Sequence, residues 1–275
     1  MDTNIDVVAS VILIGALTLA LGAYVIASLA AGRVLLAERV EREAALPLVG
    51  KTPMHAVYRA LVPIGRGLAS LGVSANAISV SSIVLAAAAS TAFAVGHFGL
   101  AALLAAISSL ADGLDGLVAR LTHTQSRFGQ VLDTTIDRYV DALFLGGVAM
   151  FVRQNGVLLA ITLAAIVGSF MVSYASSVER ELSVAKTATA GPFRRAHRLA
   201  YLLVAGALAP FIGHLAPDTR AELVPLFIAI GAIALGGNIS AVRRLLAAAR
   251  AATHTERASQ DQVVAVASAE ATRTP

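Results

Sequence analysis

Seven runs of apolar residues, each near the length needed to cross a lipid bilayer, leave this chain few folds to choose from. A spanning helix needs roughly 20 such residues at about 1.5 Å of rise each. Residues 8–31, 77–95, 99–121, 131–152, 157–176, 199–215 and 223–242 approach that length. Hydrocarbon offers no water to an unpaired N–H or C=O, so spans of this kind must be helices. Composition agrees: at 57% hydrophobic and 14% charged over 275 residues, the chain holds more apolar side chain than a soluble domain of that size buries. The expectation is an all-α integral membrane protein that forms one unit. Cysteine is absent, which excludes disulfides, thiolate metal sites and a cysteine nucleophile.

Basic residues orient the bundle. Seven crossings put the termini on opposite sides, and cytoplasmic loops collect Lys and Arg. Eighteen of the 21 basic residues fall in 32–76, 120–127, 180–198 and the segment after Val242. Only Arg153 and Arg220 face the other way, and Arg138 lies within a span. The N-terminus is therefore expected outside and the C-terminus in the cytoplasm, with a bacterial inner membrane as the setting. Asp2 and Asp6 precede the first span without a basic residue, which argues against a cleaved signal and for a retained helix over 8–31. The net charge of +4 and a pI near 9.8 do not call for nucleic acid, because the charges sit where anionic lipid would attract them.

Between the first two spans, Met54, Val57, Leu61, Ile64 and Leu68 recur at helical spacing among basic residues. That pattern predicts an amphipathic helix over 53–71 lying on the cytoplasmic face. Residues 251–275 turn polar and then small, and are expected to be disordered.

The chemistry is concentrated in the third and fourth spans. Asp112, Asp115, Asp133, Asp137 and Asp141 stand among Ala, Leu, Val and Ile. A carboxylate at membrane depth costs at least about 2.5 kcal/mol, so several together need compensating charge. Arg120 and Arg138 are too few, and hard divalent cations suit oxygen ligands best. Asp112, Asp115, Gly116 and Ala119 share one helix face, and Gly129, Asp133 and Asp137 share one on the next. A short link joins the two helices, so both ladders lie at the same depth. Gly116, Ala119 and Gly129 clear bulk from those faces, which would let a large anionic ligand approach, and Arg120 is placed to contact a phosphate. Acids within a membrane also mark ion or proton pathways, so a transporter remains the rival class.

Written out, the pattern is Asp112-x2-Asp115-Gly116-x2-Ala119-Arg120-x8-Gly129-x3-Asp133-x3-Asp137. It resembles the signature of the CDP-alcohol phosphotransferase family at every position. The resemblance implies a six-helix transmembrane core, here over 72–246, to which the helix at 8–31 is an addition. It implies transfer of a substituted phosphate from a CDP-linked donor to an alcohol, with release of CMP. Two divalent ions, Mg or Mn, would be held by Asp112, Asp115, Asp133 and Asp137, with Asp137 also the catalytic general base. Gly116, Ala119, Arg120 and Gly129 would accommodate the nucleotide. Asp141 lies outside the signature and is read as an accessory group touching Arg138 or another polar neighbour. A homodimer is a further expectation from the family. A catalytically idle member serving as an assembly partner is the remaining alternative, against which the four retained carboxylates speak.

The likeness extends from about Gly72 to Val242. Upstream, 72–79 resembles the family's SPNxxT stretch, with Ala75 and Ser79 in place of Pro and Thr. Asn76 is kept, either as a nucleotide contact or as a helix cap. Downstream, Ser173-Tyr174 followed by Gly191-x3-Arg195-x2-Arg198-Leu199 resembles the branch that uses inositol phosphate or other phosphorylated polyols. Ser176 and Val178 stand where that branch has Lys and Arg. Arg195 and Arg198 are candidate anchors for an acceptor phosphate or for lipid headgroups, and Lys186 or Arg194 could substitute. CDP-diacylglycerol is the favoured donor, and a soluble CDP-alcohol with a diacylglycerol acceptor is the alternative direction.

Overall fold

The computed structural model describes residues 3–31, 51–181, 193, 195–216 and 220–271. Among them the elements are all helical: α1 (Thr3–Ala30), α2 (Thr52–Ser70), α3 (Ala75–Ala94), α4 (Phe98–Leu121), α5 (Arg127–Phe151), α6 (Gly156–Glu181), α7 (Arg195–Leu215) and α8 (Leu223–Ala271). Six of these, α1, α3, α4, α6, α7 and α8, are long and apolar enough to cross a membrane. The seventh expected span, 131–152, lies in α5, whose 25 residues are long enough but which carries Arg127, Asp133, Asp137, Arg138 and Asp141. Its apolar second half packs on α3 and α6, with Phe144, Leu145 and Val148 buried.

Small residues make the packing possible. Ala86, Ala89, Ala101, Ala105, Ala165 and Ala209 are wholly buried, which lets helix axes approach closely. At Gly147 a Cβ would run into the Ser90 carbonyl, so α3 and α5 cross there backbone to backbone, whereas the neighbouring Gly146 faces open space. Large apolar residues point outward instead, as lipid-facing surface does: Leu19 and Leu29 of α1 are both 76% exposed.

The extra helix α1 is tied to the bundle by more than apolar contact. Asp6, only 3% exposed, accepts the Leu100 backbone N–H at 3.1 Å and faces His97 Nδ1 at 2.8 Å. Leu100 lies in the first turn of α4, so the carboxylate satisfies one of the amides that a helix start leaves unpaired. Gly99 permits the approach, because a Cβ there would collide with the Asp6 carbonyl.

Helix α2 spans the segment expected to be amphipathic, but its buried face runs through His55, Ala56, Leu61 and Gly65. Ile64 is instead exposed. Leu117 of α4 sits against Gly65, and Tyr24 of α1 stacks on His55, so small and aromatic residues make the inward contact and leave the apolar stripe partly outside. The tail also differs from expectation. Backbone helix continues from α8 to Ala271, because 251–271 has no Gly or Pro and seven Ala.

Candidate active site

At one end of the bundle the C-terminal half of α4 meets the start of α5. The link between them is five residues, 122–126. It closes through Thr124 N–H to the Ala119 carbonyl at 2.9 Å, with His123 at φ +55. Ser126 then caps α5 by accepting the Gly129 N–H at 2.9 Å. These turns set the two carboxylate faces opposite each other at one depth.

Asp112, Asp133 and Asp137 each bring a carboxylate oxygen to within 4.8 Å of the other two. Asp112 Oδ1 is buried without a hydrogen-bond partner among the described residues. A buried, unpaired carboxylate oxygen beside two further carboxylates is a donor set that fits a hard divalent cation. Asp115 stands apart from this trio: it is buried, and its Oδ2 accepts the Ser79 hydroxyl at 2.5 Å. Ser79 holds the place of the Thr in the resembled SPNxxT stretch, and the retained hydroxyl was the signal that could have marked it.

A guanidinium closes the site from α7. Arg195 Nη1 lies 2.8 Å from Asp112 Oδ2, and the same nitrogen pairs with Asp137. Arg195 Nε is 3.5 Å from Asp141 Oδ1. Arg198 Nη2 reaches Asp141 Oδ2 at 2.5 Å, and its Nη1 donates to the Phe193 carbonyl at 3.0 Å. Asp141 therefore pairs with both arginines of α7. Arg138, the partner expected for it, donates to the Thr134 carbonyl one turn back on its own helix.

The remaining expected contacts differ in exposure. Asn76 is exposed in the first turn of α3, and the cap there is Ser74, which accepts the Ala77 N–H at 3.2 Å. Arg120 is exposed in the last turn of α4. Gly116 and Ala119 are half-buried on the face of Asp112, and at Gly129 a Cβ would meet only Ser126 Oγ, at 3.3 Å. An added Cβ at Gly129 would press on the hydroxyl that caps α5. Gly191, Lys186 and Arg194 lie outside the described residues. At Ser176, where the resembled pattern has Lys, the buried Arg244 of α8 donates to the hydroxyl at 2.5 Å.

A family model described as CDP-alcohol phosphatidyltransferase matches residues 72–252. The chain belongs to this family. It is an enzyme of phospholipid synthesis and an integral membrane protein, which sets the transporter reading aside. An archaetidylinositol phosphate synthase of Pyrococcus horikoshii is 36% identical over 151 residues, covering 54% of this chain and 77% of that protein. A phosphatidylinositol phosphate synthase of Streptomyces avermitilis is 30% identical over 230 residues, covering 79% of this chain and 93% of that protein. Among solved structures, the phosphatidylinositol phosphate synthase of Mycobacterium tuberculosis with CDP-DAG bound superposes with a TM-score of 0.58 at 25% identity, over 69% of this chain and 94% of that one. The matched residues include the aspartate cluster, and the family's partners are a CDP-linked donor and an alcohol acceptor.

Proposed function

We propose that this phosphatidyltransferase moves the phosphatidyl group of CDP-diacylglycerol to a hydroxyl of a phosphorylated polyol, with inositol phosphate the favoured acceptor and glycerol phosphate next. The observation that carries the reading is Arg195, whose guanidinium stands directly over Asp112 and Asp137. A guanidinium beside the reacting centre suits an acceptor that carries its own phosphate, and it would do little for a neutral alcohol. Support also comes from the names of the two relatives, both inositol phosphate lipid synthases, and from the CDP-DAG in the mycobacterial structure.

In this reading an acceptor oxygen attacks the phosphorus that bears the diacylglycerol. A new P–O bond forms, the P–O bond to CMP breaks, and the acceptor proton passes to the Asp137 carboxylate and then to water. Asp112, Asp115, Asp133 and Asp137 would hold two divalent ions, Mg or Mn, which when bound supply positive charge to the donor's phosphates. Asp137 lies on the face that Arg195 covers, so the base and the acceptor phosphate would meet on the same side. Ser79 holds Asp115, and Asn76, Gly116, Ala119, Arg120 and Gly129 make room for and contact the nucleotide. Arg198, spent on Asp141 and the Phe193 carbonyl, supports the acceptor corner from beneath.

The excess of basic residues at the site's end of the bundle supports a cytoplasmic active site in a bacterial inner membrane, with the N-terminus outside and the C-terminus in the cytoplasm. The test is CMP release by purified protein in detergent, with Mg or Mn and CDP-diacylglycerol, across inositol phosphate, glycerol phosphate, serine and inositol. Release with a phosphorylated polyol alone is expected. Release with serine or inositol and not with the phosphates would refute the acceptor assignment. Release only from a soluble CDP-alcohol with diacylglycerol would reverse the donor.

A further inference from the structure

We infer that Asp141 is a positioning residue for the acceptor site, one that fixes Arg195 over the reaction centre; the inference rests on the reading of Arg195 as the phosphate anchor. Asp141 sits one helical turn beyond Asp137 on α5, outside the residues of the signature. Its two oxygens are divided between two cations. Oδ2 takes Arg198 Nη2 at 2.5 Å, and Oδ1 faces Arg195 Nε at 3.5 Å.

The division gives the two arginines different tasks. Arg198 is 4% exposed and is held at Nη2 by Asp141 and at Nη1 by the Phe193 carbonyl, which stiffens the entry to α7. Arg195 stands one turn away and is more open, 25% exposed. With its Nε end directed to Asp141, its Nη1 end is presented between Asp112 and Asp137. A long side chain has several rotamers, and a carboxylate at the Nε end selects those that aim the outer nitrogens at the centre. Asp141 also offsets the charge of the buried Arg198, and Arg195 is the more exposed of the two cations and the one that reaches Asp112 and Asp137.

The experiment is steady-state kinetics of Asp141→Asn, Asp141→Glu and Arg195→Gln with CDP-diacylglycerol and inositol phosphate, alongside thermal unfolding and Mn binding by EPR. For Asp141→Asn, the KM for inositol phosphate should rise about tenfold, the size of effect expected when Arg195, released from its ion pair with Asp141, no longer holds its charge-assisted contact to the acceptor phosphate. The donor KM, the Mn affinity and kcat should stay within about twofold. Asp141→Glu, which keeps the charge, should recover most of the loss. The unfolding temperature falls in either case, because the buried Arg198 loses its partner; a merely structural carboxylate would leave the acceptor KM unchanged, and that result overturns the inference. If Asp141→Asn does not fold, Asp141→Ser takes its place against Asp141→Glu under the same criteria. Arg195→Gln separates the two levels. A raised acceptor KM there with none in the Asp141 variants refutes the positioning role alone, and an unchanged acceptor KM in Arg195→Gln refutes the anchor and the positioning role together.

Discussion

Replacing Asp6 with Ala tests how the added N-terminal helix belongs to the enzyme. The Asp6 carboxylate receives the Leu100 N–H at 3.1 Å and pairs with His97 at 2.8 Å while itself nearly out of reach of solvent. Removing it leaves a helix-start amide and an imidazole without their acceptor. An unsatisfied buried donor costs about 1–3 kcal/mol, and His97, partly open, can recover some of that from water, so a net loss of about 2–4 kcal/mol follows. At the few degrees per kcal/mol seen for domains of comparable size, the unfolding temperature should fall by roughly 5–10 °C. Asp6→Asn keeps an acceptor for Leu100 and should fall about half as far. The assay is thermal unfolding of purified protein in mild detergent, with turnover measured well below the transition. Because Asp112 lies more than three turns along α4 from Leu100, turnover at low temperature should stay within about twofold of wild type. An Asp6→Ala protein that unfolds within a degree of wild type would refute the idea that α1 is locked to α4 through this carboxylate.

Gly147→Ala places a methyl group against the Ser90 carbonyl and should destabilise by about 1–3 kcal/mol, while Gly146→Ala next to it, facing open space, should be neutral or slightly stabilising; unfolding temperatures of the pair give the comparison. Ser79→Ala removes the hydroxyl that Asp115 accepts and should cost about tenfold in turnover at limiting Mn, with Ser79→Thr close to wild type, read from metal-dependence curves of CMP release.

What could be read in the sequence, and what could not, divides along the helix surface. Spacings of three and four residues place Asp112, Asp133 and Asp137 on defined faces, and a short link brings those faces together. The trio is therefore legible in the sequence alone. Apolar length gave the helices in the same way, down to the seventh, where charges interrupt the run. Partners across helices were not legible. Asp141 has the same one-turn step from Asp137 as Asp137 has from Asp133, so spacing alone suggested Arg138, its near neighbour. Its pairing with Arg195 and Arg198 depends on how α7 enters the bundle. Asp115 shares the face of Asp112 yet turns to Ser79 on α3, a choice made by packing. The contact of Asp6 with α4 leaves no mark in the local sequence, because its partner lies 94 residues away. The outward turn of Ile64 has the same origin: Gly65 admits Leu117, and no periodicity of apolar residues records the value of a missing side chain.

The most direct measurement follows CMP release from CDP-diacylglycerol with inositol phosphate as the acceptor, as Mn is titrated, in wild type, Asp133→Asn and Asp137→Asn, with bound Mn read by EPR in the same samples. Release in wild type should be absent without metal and saturate with it. Asp133→Asn should weaken Mn binding and turnover together, and Asp137→Asn should abolish release. Normal turnover in either variant, or release that persists when the metal is chelated, would contradict the placing of divalent-metal phosphatidyl transfer at this aspartate cluster.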